Sequence, residues 1–185
     1  PLSDAAETPD GIAFGRDDLP VTAVAGPAES VAAAAPGCVK NLRFNGSGCL
    51  RVPASALNGP ESLEVAGADL LVVTADSDAG SSAIYPVFSD PCALGPGMAR
   101  IRADACVCEP FYLLNILHFY YHLGIMPRVV SPGRMDLSRK ALQSLPVPVP
   151  PIDDQKRITG LMLALSGGIV AVEQFKMEIE KIAIL

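Results

Sequence analysis

Cys106-x-Cys108, followed by His118 and His122, is the first grouping in this 185-residue chain whose residue types could do chemistry. Thiolates and imidazoles are zinc ligands, and four of them complete a tetrahedral site. In a strand the two cysteines would share a face, and on a helix the two histidines would share another. The cysteine spacing is one residue shorter than the usual minimum, and the stretch between the pairs is short. Two core thiols and two half-exposed helix histidines are therefore expected. Asp76-x-Asp78-x-Gly80 opens like a calcium loop but lacks the later glutamate, which leaves a solvated turn. No metal or other cofactor is expected. Ser89-Asp90-Pro91-Cys92 is not the Asn/Asp-Pro-Pro-aromatic motif of an amino-methyltransferase, and no phosphate-binding glycine loop is present. Both histidines lie in one predicted helix without a paired Ser or Cys nucleophile. These features argue against an enzyme.

The basic residues offer different chemistry. Arg43, Arg51, Arg100, Arg102, Arg128, Arg134, Arg139 and Lys140 are candidates for phosphate or base contact, since arginine forks match guanine edges and any cation neutralises phosphate. Arg134 leads the set because it follows a Ser-Pro-Gly loop. The net charge is -6, which excludes a wholly basic binding surface. The charge is uneven, however. Residues 1–98 carry four basic and twelve acidic side chains, whereas residues 99–152 carry six basic and three acidic. Any attraction for nucleic acid is expected mainly from that middle third.

One globular domain with an appendage fits the length, and 50% hydrophobic residues can fill a sizeable core. Five cysteines without framework spacing point to a reduced, cytoplasmic setting. No run of about 18 apolar residues would span a bilayer, so no membrane partner is expected. Residues 1–37 show no clear period, and residues 28–35 suggest one or two helical turns. Asn41 to Val52 reads as a β-hairpin turning at Asn45-Gly46, which puts Arg43 and Arg51 on one face. Strands are expected at residues 68–73, 83–88 and 98–102. Pro110 to Leu123 carries a broad apolar stripe and ends at Gly124, the pattern of a helix. Residues 128–137 read as a strand and a basic loop, and residues 138–142 as a helical turn.

Leu145 to Ile158, LPVPVPPIDDQKRI, is the strongest organising signal. Its prolines force an extended segment and a sharp boundary. Asp153 and Asp154 then suit a helix entrance, where exposed amides favour negative charge. Beyond it, Ile158, Leu161, Leu165, Gly168, Val172, Phe175, Ile179 and Ile182 repeat with the a/d spacing of a coiled coil. Such a helix would be roughly 45 Å long. A lone helix with this stripe needs a partner, and self-association as an antiparallel pair is expected. The expected division is a globular body over residues 1–152 and a spacer helix over residues 153–185.

The hinge, with Ala68-Asp69-Leu70-Leu71, the Gly80 to Ile84 loop and strand, Glu109 to Leu113 and the Gly133 to Leu142 stretch, resembles the DNA-specificity subunit of type I restriction-modification systems. The resemblance covers roughly residues 40–185. It implies an α+β, mixed-sheet target-recognition domain followed by a coiled-coil spacer helix. It also implies a non-catalytic role, with double-stranded DNA and a DNA methyltransferase subunit as partners. A full subunit of this kind has two recognition domains and two spacer helices, and this chain has length for one of each. Its expected form is a half-subunit or fragment that homodimerises through the helix. The acidic first half motivates a second reading, a protein-interaction module that kept the fold and lost DNA binding.

Overall fold

Leu70-Leu71-Val72-Val73 presents apolar side chains to both faces of a strand, and all four are fully buried. A strand reads this way when both faces of its sheet are covered. The computed structural model, which describes residues 6–7, 30–40, 42–53, 64–75, 77–87, 89–90, 92–127, 129–131 and 134–165, shows what covers them. Its strands are β1 (Ala6–Glu7), β2 (Ser30–Ala34), β3 (Val39–Lys40), β4 (Leu42–Phe44), β5 (Leu50–Pro53) and β6 (Glu64–Val65). They continue with β7 (Leu70–Val73), β8 (Ser82–Ile84), β9 (Cys92–Leu94), β10 (Met98–Ala103), β11 (Val129–Ser131) and β12 (Arg134–Asp136). The helices are α1 (Pro110–His122), α2 (Arg139–Gln143) and α3, residues 152–165.

A six-stranded sheet runs β1-β10-β7-β8-β4-β3, and a four-stranded sheet runs β5-β2-β9-β6. Both are mixed: β4 lies parallel to β8 and β2 parallel to β9, among antiparallel neighbours. Leu70, Val72, Ala99 and Ile101 form one core with Leu113, Leu114 and Leu117 of α1. Leu71, Val73 and Met98 form another with Val65 and Leu94 of the four-stranded sheet. The α+β, mixed-sheet class expected from the sequence is thus present, with α1 on one face of the larger sheet and the smaller sheet on the other.

Two local expectations are overturned. Residues 30–34 form a strand, not a helical turn, and Ala33 and Ala34 are buried between β5 and β9. Small side chains in a half-helical composition are here selected by close sheet packing, which overrides helix propensity. β4 and β5 do not pair as the expected hairpin. β4 pairs with β3 and β8, whereas β5 pairs with β2 in the other sheet. Asn45 caps a 3-10 turn over Gly46–Gly48, its side chain accepting from the Ser47 amide at 3.1 Å. The chain changes sheets there, so Arg43 and Arg51 do not share a face. The strand expected over 83–88 is shorter, ending at Ile84.

The helix expected at Pro110 starts there, with Glu109 as its cap and Pro110 at the first helical position. It closes at Gly124, whose φ of +68° no side chain opposes. The proline segment lies extended along α1. Tyr120 donates to the Pro146 carbonyl at 2.7 Å and Tyr112 to the Pro148 carbonyl at 3.0 Å. Proline has no amide to pair, so tyrosine hydroxyls bind the segment through its carbonyls.

The start of α3 is held by polar rather than apolar contacts. Gln155 is fully buried. Its Oε1 accepts from the Glu109 amide at 2.8 Å, and its Nε2 donates to Val107 and Pro150 carbonyls at 2.9 and 2.8 Å. One turn later, Thr159 donates to Glu109 Oε2 at 3.0 Å. Ile158, Leu161 and Leu165 are exposed, at 39%, 61% and 65%. Gly168, Val172, Phe175, Ile179 and Ile182, the rest of the expected seam, lie outside the described residues, as does most of residues 1–29.

Candidate nucleic-acid interface

The β3–β4 pair sits at the edge of the larger sheet, and its register sets Lys40 opposite Arg43. Directly opposed residues of an antiparallel pair point to the same face. Both side chains are exposed. Lys40 also lines a cleft of about 280 Å³ between this edge and α1, together with Asp78, Ser82, His118, Tyr121 and His122. The histidines are one helical turn apart, and their rings meet edge to face with centroids 4.2 Å apart. Burial, and then the neighbouring His122, hold His118 below its ordinary value of 6.5. That shift favours the neutral imidazole at His118, which keeps one N–H to donate. Ser82 is buried, and its hydroxyl has no hydrogen-bond partner among the described residues. One recess thus gathers a lysine, hydroxyl and imidazole donors, with an arginine beside it and a single carboxylate, Asp78. Donors and cations of this kind suit an acceptor-rich anion such as a phosphodiester.

The other basic candidates fall elsewhere. Arg51 is exposed and lines a second cleft, of about 480 Å³, with Tyr85, Cys49, Cys92 and Asp90. Arg102 makes a two-pronged pair with buried Asp69, Nε to Oδ1 and a terminal nitrogen to Oδ2, both at 2.7 Å. Asp69 also accepts from the Ala66 amide at 2.9 Å. That pair ties the turn before β7 to β10, and 46% of the Arg102 side chain stays exposed. Arg100 is half-buried on the same strand, and Lys140 is exposed on α2. Arg134 lies on β12 and Arg139 opens α2, while Arg128 falls outside the described residues. The sequence reading missed Lys40, because the β3–β4 pair was not legible, and missed Gln155 and Glu109 as the clamp on α3. Glu109-Pro110 did carry a signal, a capping residue before proline at a helix start.

The cysteine and histidine pairs are far apart in role. Cys108 is fully buried ahead of α1, where burial pushes its thiol up to about 11, while Cys106 is exposed. His118 lies on α1, eight residues past its first residue, Pro110, about 12 Å along the helix. Among the described residues no group of three His, Cys, Asp or Glu side chains is placed to hold a metal ion. None of their helices is long and apolar enough to cross a membrane.

The architecture has known counterparts. A structure described as the HsdS subunit from Thermoanaerobacter tengcongensis superposes with a TM-score of 0.66 over 94% of this chain, at 18% identity. The fold is that of HsdS. A chain from a structure of type I R-M system assembly and conformational transition superposes with a TM-score of 0.67 over 97% of this chain, also at 18% identity. This chain spans 38% and 40% of those two chains, about two fifths of each. No protein-family model matches the sequence, and no curated protein matches it.

Proposed function

We propose that this chain is a non-catalytic DNA-recognition component of a type I restriction-modification methyltransferase, equivalent to one half of a specificity subunit. The observation that supports it is the HsdS fold over nearly the whole chain, at TM-scores of 0.66 and 0.67. In this reading residues 1–152 form the recognition body and residues 153–185 the spacer helix. The body contacts double-stranded DNA through its exposed basic residues, with Lys40 and Arg43 beside the histidine cleft. The helix docks a methyltransferase subunit and a second recognition unit. The reading implies a cytoplasmic protein with no chemistry of its own.

Homodimerisation through α3 follows from the same reading. Leu161 and Leu165 are exposed at the end of the described helix, and the sequence repeats their spacing to Ile182. An antiparallel pair related by a two-fold axis would set two recognition bodies at opposite ends of the spacer. Titrating random-sequence duplex DNA into the chain with its methyltransferase partner tests the main reading. Binding that weakens steeply with salt is expected. No binding at low ionic strength would overturn it, and would favour the interaction module suggested by the acidic first half.

A further inference from the structure

Cys38 and Cys49 lie with their Sγ atoms 3.4 Å apart. Backbone contacts set this approach. The 3-10 turns Pro36–Cys38 and Gly46–Gly48 lie against each other, and the Asn45 amide donates to the Cys38 carbonyl at 2.7 Å. A Cβ added at Gly48 would fall 2.3 Å from the Gly37 carbonyl oxygen, so only glycine permits the contact. Cys38 is fully buried, whereas Cys49 is half-buried and lines the cleft beside Arg51. Of the remaining thiols, Cys92 lines that cleft too, Cys106 is exposed, and Cys108 belongs to the core under α1.

We propose that Cys38 and Cys49 are an oxidation site, closing to an intramolecular disulfide when the chain meets a low-molecular-weight disulfide such as oxidised glutathione. The Cys49 thiolate attacks one sulfur of the oxidant, the oxidant's S–S bond breaks, and one glutathione thiolate leaves. Cys38 then loses its proton and attacks Cys49 Sγ, forming the internal bond and expelling the second glutathione thiolate. The two protein thiols lose two electrons and two protons, which the two glutathione thiols gain. The sulfurs need close by only about 1.4 Å to reach bonding distance. Burial and the Cys38 hydrogen bond push the Cys49 thiol up to about 12, so the first step is slow at neutral pH. The second is intramolecular, and the mixed disulfide does not accumulate. The bond would join the segment entering β3 to the segment entering β5, and so staple the two sheets together.

The test uses the full chain carrying Cys106→Ser, which removes the exposed thiol outside the pair. After treatment with oxidised glutathione at mildly alkaline pH, the intact mass should fall by two hydrogens with no glutathione adduct. Peptide mapping should find the Cys38–Cys49 bridge, and the thermal midpoint should rise by roughly 5–10 °C. Adding Cys38→Ser should halt the reaction at a glutathione adduct on Cys49. If that variant does not fold, Cys49→Ser serves in its place and should lose no hydrogens. A stable adduct on Cys49 with Cys38 present, a bridge to Cys92, or two free thiols after exhaustive treatment of the folded chain would each overturn the proposal.

Discussion

Gln155 bonds three backbone groups at the hinge, from Glu109, Val107 and Pro150. Gln155→Ala strands them in a buried place, and each orphaned group costs about 1–3 kcal/mol, partly relieved by water. A loss of about 2–3 kcal/mol in urea unfolding is expected, with faster amide exchange in the first turn of α3. Ala68 poses the opposite case. Its φ is +67°, a region that costs a side-chain-bearing residue about 1–2 kcal/mol and glycine nothing. Ala68→Gly should therefore stabilise the fold by about 0.5–1 kcal/mol after the added chain entropy, read as a higher urea midpoint. His118 makes stability depend on pH. Its folded value lies below the ordinary 6.5, so the unfolded chain takes up the proton first as pH falls. Its contribution is complete above about 6.5 and is lost as pH falls through that value toward the folded one. Lys40, Asp78, Tyr121 and His122 share its cleft and modulate the size of the effect. His118→Gln should flatten the decline in stability between about pH 7.5 and 5.5, and an unchanged slope would reject this assignment.

Elements differ in how far their sequence betrays them. α1 is marked three ways, by Glu109-Pro110 at its start, an apolar stripe, and Gly124 at its end, and all three act locally. The proline hinge is similarly local, since proline restricts its own backbone and its neighbour's. β4 and β5 were not legible as members of different sheets, because Asn45-Gly46 fits a hairpin turn as well as the 3-10 turn it makes. What separates them is the contact of Gly48 with Gly37, a long-range packing event with no period of its own. For the same reason the Lys40–Arg43 pair was hidden, whereas the isolated basic residues were visible as types. The apolar stripe on α3 was legible, and the structure adds that its early members are exposed. Burying one such leucine is worth about 1.5–3 kcal/mol, so two form a large part of a helix pair's contact energy. Leu161→Asp with Leu165→Asp should leave the melting midpoint of the body unchanged and convert a dimer to a monomer in sedimentation. A wild-type chain already monomeric at high micromolar concentration would refute the antiparallel pair.

The whole molecule carries a net charge of -6, so any DNA-binding face must work against its own long-range field. A local cluster can do so because salt screens charges beyond about 10 Å while direct phosphate contacts still release counterions. Lys40 and Arg43 are the only pair of exposed cations that the described strand register sets side by side, and the cleft beside Lys40 adds donors from α1. Arg102 is a useful contrast, because its guanidinium already bridges to Asp69 and holds β10 to the turn before β7. Lys40→Ala with Arg43→Ala should leave the fold intact, since both side chains are exposed. With the methyltransferase partner present, the double variant should weaken duplex binding similarly across sequences and reduce the slope of log K against log salt by about 1–2. Arg102→Ala should instead lower the thermal midpoint, because it leaves the Asp69 carboxylate buried without its cation. An unchanged salt slope in the double variant would move the DNA contact away from the β3–β4 edge. The Arg51 cleft, on the far side of the sheet change at Gly46–Gly48, would then be the surface to test by the same titration.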